Sequence, residues 1–240
     1  MATPIRYRIR QSPLGRRLPH GLARFYRAYH YGLNGHLARR VKVARYLRAT
    51  DEPRLQLGSG PNLLEGWLNS DVVHGEIFVN VTRRLPVGDA RFAYVYSEHM
   101  IEHIDEGAGI RLIAEIHRAL RPGGVFRVTT PDLQKVISIY EDRNPVIPLD
   151  QYLAFLNETL PNEPHPRAAH MLNTYMRAWG HRFVYDEADL RAKLADAGFT
   201  DIVRVKEGES ERALLQGLES HEPSWSNPAE AMCLEAVKQR

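Results

Sequence analysis

From Arg54 onward, short apolar runs alternate with segments whose apolar residues recur at helical spacing. That is the pattern of a parallel sheet joined by crossover helices. The runs predict strands at Arg54–Leu57, Trp67–Ser70, Ile77–Val81, Phe92–Ser97 and Val125–Thr130, and two late ones at Ile202–Lys206 and Met232–Val237. A helix is expected over Glu106–Leu120, with Ile110, Ile113, Ile116 and Leu120 inward and Pro122, Gly123 and Gly124 ending it. Another spans Asp186–Ala197, opened by Asp186 and closed by Gly198. Before the sheet, Leu22, Phe25, Tyr26 and Tyr29 form one helical apolar face, and Leu37, Val41, Ala44 and Leu47 a second, with Gly32 and Gly35 between them. From Glu141 to about Gly180 the periodicity fades among Pro145, Pro148, Pro161, Pro164 and Pro166. Such a stretch reads as a lid or a mobile loop.

The 240 residues suit one large domain with appendages: a basic helical arm at 1–50 and an α/β domain at 51–240 that carries the insertion at about 141–180. A 43% apolar content supports a single substantial core. No run is long enough to cross a bilayer, and no apolar segment follows the basic start as a signal peptide requires. The lone Cys233 excludes an internal disulfide and multi-cysteine zinc motifs, so a cytoplasmic location is expected. The net charge of +3 conceals a split: residues 1–50 hold twelve Arg or Lys and no acid, leaving −9 on the remainder. The arm therefore either touches an anionic surface or packs back on the acidic remainder, and its helical apolar spacing favours packing. An organellar transit peptide is disfavoured by the scarcity of serine.

The sharpest local signal is Leu55-Gln56-Leu57-Gly58-Ser59-Gly60-Pro61-Asn62. A strand ends in two glycines one residue apart, which lets backbone turn tightly and approach a ligand. Position 63 is Leu63, so the third glycine of the dinucleotide fingerprint is missing, and Pro61 leaves little room for a helix before Trp67. A pyrophosphate seat is disfavoured, which argues against NAD and for a phosphate-free ligand such as S-adenosylmethionine (SAM). Asp71 ends the next run, where a carboxylate can accept both ribose hydroxyls; alone it would read as a turn acid.

Taken in order, Leu55–Asn62, Gly66–Asp71, Phe92–His103, Ala119–Leu133 and Trp179–Phe199 resemble the class I SAM-dependent methyltransferases. The likeness is to a bacterial, type-11-like branch associated with polysaccharide biosynthesis, and it covers about residues 54–206. The resemblance implies a Rossmann-like seven-stranded α/β sheet with its last strand antiparallel and helices on both faces. It implies SAM across the strand ends, with Gly58, Ser59, Gly60 and Asn62 near the methionine part, Asp71 at the ribose, Asn80 near the adenine, and Ser97 and Glu98 beside the methyl group. Asn62 replaces a frequent glycine and Asn80 a frequent acid, so adenine recognition through a carboxylate is not expected.

Methyl transfer from a sulfonium is an in-line displacement that needs alignment and usually a proton acceptor. Histidine suits that role. His99, nearest the strand end, is the first candidate; His103 shares its helical face and reads as structural, and His181 is placed to orient the acceptor or the base. Asp132 either serves the acceptor or caps the helix starting at Leu133. With Glu98 and a histidine it could also hold a divalent cation such as magnesium, although the helical zinc pattern H-E-x-x-H is absent. His165 and His170 read as loop surface.

The resulting expectation is O-methylation of a sugar or glycan-precursor hydroxyl, a mannoside being one specific acceptor, with Tyr152, Asn173, Tyr175 and Trp179 of the insertion contacting it. Alternatives are a small phenol or acid acceptor, RNA binding or RNA methylation through the basic arm, and a non-catalytic SAM-binding protein; a homodimer is a candidate assembly.

Overall fold

The computed structural model describes residues 28–162, 164–219 and 223–239. The apolar face of Leu22, Phe25 and Tyr26 lies outside the described residues, as does the rest of 1–27. A π-helical turn (Tyr31–Leu37) leads into α1 (Arg39–Arg48). Then follow β1 (Arg54–Leu57), β2 (Leu68–Asp71), β3 (Ile77–Phe78), β4 (Phe92–Glu98), a 3-10 turn (Ile101–His103), α2 (Glu106–Ala119) and β5 (Leu120–Pro131). Next come α3 (Leu133–Tyr140), α4 (Leu149–Thr159), α5 (Ala168–Tyr175), a 3-10 turn (Ala178–Gly180), α6 (Glu187–Asp196), β6 (Phe199–Val205), α7 (Ser226–Glu230) and β7 (Ala231–Lys238).

The strands form one seven-stranded sheet in the order β3-β2-β1-β4-β5-β7-β6. β1 to β5 pair in parallel, and β7 runs antiparallel between β5 and β6. The order reverses between β1 and β4, so a crevice opens at their C-terminal ends, where ligands of open α/β sheets sit. The expected strands are all present, with several shifts of bounds: β6 begins at Phe199 rather than Ile202, and β7 runs one residue further at each end. β3 ends at Phe78 instead of Val81, because the Asn80 side chain draws the following residues into a turn by accepting from Thr82 N (3.0 Å) and Thr82 Oγ1 (2.7 Å). β5 starts at Leu120, before the Pro-Gly-Gly turn, and its register against β4 slips between Phe92 and Tyr94.

One face of the sheet, with Leu55, Leu57, Val95, Phe126, Val128 and Leu234, packs against Leu112, Ile113 and Ile116 of α2 and Leu190 and Leu194 of α6. Ile110 departs from expectation and is 48% exposed. The α2 stripe runs through Gly109, Leu112, Ile113 and Ile116, and position 110 is turned away from it by the step of roughly 100° per residue. On the other face Trp67, Tyr96 and Val125 are covered by Leu215 and Leu218. Between them Arg127, fully buried at mid-strand, makes a bidentate pair with Glu219 (both 2.8 Å) and a 2.6 Å bond to Glu235, its register partner on β7.

The second half of the arm lies along the β3 edge. Arg39 Nη1 donates to the Phe78 carbonyl (3.3 Å), Lys42 Nζ to that of Glu76 (2.9 Å) and Tyr46 Oη to that of Gly66 (2.9 Å). Its buried face is Val43 with Tyr46 and Leu47; Tyr29, Val41 and Ala44 are exposed, contrary to the expected face. The face turns because the helix follows a sheet edge that offers carbonyls, and the residues able to reach them set the orientation.

The proline-rich insertion is a packed helical layer rather than a loose loop. Val136 and Ile139 of α3, Tyr152 and Leu156 of α4, Met171 and Tyr175 of α5, and Ala229 share a separate buried cluster. Its prolines lie between helices, Pro148 at the α4 N-cap, so they delimit helices instead of preventing them. His165 is accordingly buried, bonded through Nε2 to Thr174 Oγ1 (2.8 Å) while its backbone N–H meets Asn157 Oδ1 (2.7 Å); His170 is exposed.

The layer is tied to the sheet by Tyr152 Oη, which donates to Glu230 Oε2 at 2.6 Å. Burial pushes the Glu230 carboxyl from 4.5 up to about 7, against the opposing effects of the Tyr152 bond and the charge of His99. The folded chain thus holds this proton more tightly than the unfolded chain. The stability it contributes is full below 4.5 and is lost as pH rises through about 7. Over that window the loss amounts to roughly 3 kcal/mol, since each pH unit between the two values corresponds to about 1.4 kcal/mol. Glu230→Gln should flatten this part of the profile in urea unfolding at pH 5 and pH 8, and equal slopes in both proteins would refute the assignment.

Candidate active site

Gly58, Asp71 and Glu98 close β1, β2 and β4, and the register pairs Leu57 with both Ser70 and Ser97, so the three ends meet at one edge. Gly58 and Gly60 have φ of 68° and 50°, backbone that favours glycine. A Cβ on Gly60 would meet nothing within 4 Å, whereas one on Gly58 would lie 2.3 Å from Met100 Cγ. Gly58 is therefore set by packing against the segment after β4, and Gly60 leaves open space for a ligand. Asp71 Oδ1 accepts from Val73 N (2.6 Å) and His74 N (2.9 Å), and Oδ2 from Gly60 N (3.3 Å), which ties the β2 tip to the glycine turn.

This edge fits a phosphate-free nucleoside with a short amino-acid arm. It offers open backbone at Gly60, a half-buried carboxylate at Asp71 bonded to backbone N–H groups, and the Ser97 hydroxyl, which is fully buried with no hydrogen-bond partner among the described residues. Ser59 is buried beneath the turn, its N–H on the Ser70 carbonyl, and Asn62 N closes the turn onto Ser59 O (both 3.0 Å). Asn80 is committed to Thr82, a turn role that a carboxylate acceptor could also have filled.

Beyond β4 lies a cluster of imidazoles around one buried carboxylate. His99 has φ of 44°, a strained value for a non-glycine residue and one that clusters at functional sites. Its Nδ1 bonds Glu102 Oε1 (3.2 Å) and its Nε2 bonds Asn227 Oδ1 (2.6 Å). The Asn227 amide is oriented by donating from Nδ2 to Glu98 Oε1 (3.3 Å), so both His99 nitrogens face acceptors and both donate. Burial works against the charged ring, but the bond and charge of Glu102, the Asn227 bond and the charge of Glu98 outweigh it and push His99 up to about 9. This arrangement favours the protonated ring of His99.

Glu102 is fully buried. Burial alone would raise its carboxyl, yet His99 and His103 hold it low. Its Oε2 accepts from Thr130 Oγ1 (3.1 Å) and His103 Nε2 lies 3.9 Å from Oε1. His181 reaches the cluster from beyond the insertion. Arg182 N (2.7 Å) and Phe183 N (3.3 Å) donate to the Glu102 carbonyl, and the His181 ring lies 5.2 Å from that of His103. His181 Nδ1 donates to the Tyr175 carbonyl (2.8 Å), and burial keeps this ring below its ordinary value, hence neutral at pH 7. Trp179, with φ of 55° and 46% exposed, stands 5.7 Å from the His181 ring and 6.0 Å from that of Tyr175.

Other expected contributors lie elsewhere. Asp132 caps α3 through Gln134 N (3.0 Å) and pairs with Arg204 Nη2 (2.9 Å), the contacts that the cap reading calls for. Tyr152 and Tyr175 are buried in the insertion core, and the Asn173 amide bonds its own helix at Ala169 O (2.9 Å). Asn227 is invisible from sequence, since nothing in Ser226-Asn227-Pro228 distinguishes it from a surface turn. Glu102 is visible there only as an acid three residues beyond His99.

A methyltransferase-domain family model matches residues 26–203, more than half of the chain. No curated protein matches in sequence. Among solved structures, a SAM-dependent methyltransferase from Archaeoglobus fulgidus is 16% identical with a TM-score of 0.47, covering 89% of this chain and 100% of its own. A Thermotoga maritima SAM-dependent methyltransferase, described as a possible histamine N-methyltransferase, is 14% identical at a TM-score of 0.46, with 90% and 98% covered. The Haemonchus contortus phosphoethanolamine N-methyltransferase 2, solved with S-adenosylhomocysteine, is 13% identical at 0.45, with 95% of this chain and 59% of that chain covered. No helix among the described residues is long and apolar enough to cross a membrane. The chain belongs to the methyltransferase-domain family and is a SAM-dependent methyltransferase.

Proposed function

We propose that the chain methylates a hydroxyl of a sugar or glycan precursor, a mannoside being one candidate, with the acceptor lying between the β4 end and Trp179. The observation that carries this reading is the pairing of an exposed indole, held at positive φ, with the His181–His103–Glu102–His99 cluster. A sugar offers an apolar C–H face for the ring and a hydroxyl edge for the imidazoles. SAM, seated along Gly58, Ser59, Gly60, Asn62, Asp71, Asn80, Ser97 and Glu98, supplies an electrophilic methyl group when bound.

The chain's own work is alignment, exclusion of water and disposal of the hydroxyl proton. His181 orients the acceptor hydroxyl from a fixed tautomer, and the proton leaves into the imidazole cluster. His99 acts as a positioning residue, fixing Glu102 through its cationic ring. Asn227 keeps Glu98 and His99 in register at the strand end.

An anionic contact by the arm is supported by a cleft of about 390 Å³ lined by Arg39, Arg40 and Arg84. None of the three has a carboxylate within 4.0 Å among the described residues. A phosphorylated acceptor or carrier would fit such a surface.

The test is methyl transfer from labelled SAM to a panel of simple glycosides, phenols and carboxylic acids. Transfer to glycosides is expected, and Trp179→Ala should raise the acceptor KM about tenfold, the equivalent of 1.4 kcal/mol, while leaving SAM affinity unchanged. Turnover of phenols or acids with none of glycosides would reject the sugar assignment.

A further inference from the structure

We infer that Glu102, His103 and His181 form a binding site for a divalent transition-metal ion of the zinc type; the inference rests on the acceptor placement above for its role, though not for its chemistry. One ligand atom from each of the three lies within 4.8 Å of the others. Donors around a tetrahedral ion at bond lengths of about 2.1 Å stand roughly 3.4 Å apart, so closing the set takes rotations on the order of 1 Å. His103, with 36% of its side chain exposed, has room to make them.

Three observations separate this set from a chance meeting of polar groups. Glu102 is fully buried, and no Lys or Arg lies within 4.0 Å of its carboxylate among the described residues; apart from the Thr130 hydroxyl, the side chains that face it are the imidazoles of His99 and His103. His181 has its Nδ1–H committed to the Tyr175 carbonyl, which leaves Nε2 as the lone-pair nitrogen. Metal-bound histidines are held in this way, by a carbonyl or carboxylate on the other nitrogen. The ligand-bearing segments are also joined before any ion arrives, through Arg182 N and Phe183 N on the Glu102 carbonyl.

Two imidazoles and one carboxylate favour zinc, cobalt or nickel over magnesium, which prefers oxygen and water. Three protein ligands leave a position open, the arrangement of catalytic rather than structural sites. An acceptor hydroxyl taking that position, beside His181, would be acidified by the ion that Glu102, His103 and His181 would hold. His99 and Thr130 would keep their bonds to Glu102 as outer partners.

The experiment is titration of the full chain with Co²⁺, read by visible absorbance, and with Zn²⁺ by competition, without SAM or sugar. We expect one saturable site with visible bands of tetrahedral intensity. His103→Ala and His181→Ala should each weaken it at least tenfold, while exposed His170→Ala leaves it unchanged. His103→Ala alters a partly exposed ring and guards against misfolding of the more buried variant. No saturable Co²⁺ site in folded wild-type protein, or a site equally strong in both variants, would overturn the inference. Neither result depends on turnover, so failure of the sugar assignment would be seen separately.

Discussion

Arg127→Ala should destabilise the chain by about 3–5 kcal/mol, the cost typical of removing one partner from a buried ionic network. The guanidinium is fully buried at mid-β5, with Glu219 on its Nε and Nη2, Glu235 on its Nη1 and the Glu209 carbonyl also on Nη1. Without it, Glu235 retains Arg212 (2.8 Å), while Glu219 retains Thr129 Oγ1 (3.0 Å) and Gly208 N (2.7 Å) and no cation within 4.0 Å among the described residues. Glu219 also anchors the segment that brings Leu215 and Leu218 over Trp67 and Tyr96, so the second face of the sheet should loosen with it. Urea unfolding measures the loss. Combining Arg127→Met with Glu219→Gln and Glu235→Gln should recover much of it, because the uncompensated charges go too. A single variant within about 1 kcal/mol of wild type would mean that the network is solvated and contributes little.

Gly58→Ala should abolish measurable SAM binding and destabilise the fold. The left-handed backbone costs about 1–2 kcal/mol for any residue with a Cβ. The added methyl would also lie 2.3 Å from Met100 Cγ and 2.8 Å from Met100 Cβ, and the latter cannot swing aside without moving the backbone between Glu98, His99 and the 3-10 turn. Gly60→Ala is the informative companion. Its Cβ meets no protein atom within 4 Å, so stability should fall only by the backbone cost while SAM affinity drops at least tenfold, because the methyl takes ligand space. Unaltered SAM affinity in Gly60→Ala would place the ligand elsewhere.

The framework is legible in the sequence because parallel strands buried on both faces appear as short apolar runs, continuous in Phe92–Tyr96 of β4 and interrupted by single polar residues in β1 and in the second half of β5. The glycine turn and Asp71 are legible for a related reason. Each directly follows a strand, and parallel strands bring their ends to one edge whatever lies between them. The insertion reads as a loop because its helices present only pairs of inward residues, Tyr152 with Leu156 and Met171 with Tyr175. Between prolines such pairs are too short to stand out as periodicity. The imidazole cluster is half legible. His99, Glu102 and His103 are neighbours in sequence, but the Asn227 contact that makes His99 a double donor spans 128 residues and leaves no local trace. Asp132 reads equally as cap and as catalyst, and its pairing with Arg204, 72 residues away, leaves no local trace.

The most direct measurement of the central claim is calorimetric titration of the purified chain with SAM, S-adenosylhomocysteine and NAD. Saturable binding of the first two at one site and none of NAD is expected, since the turn at Gly58–Gly60 lacks a helix to seat a pyrophosphate. A folded sample that binds neither SAM nor S-adenosylhomocysteine, or that binds NAD in their place, would contradict it.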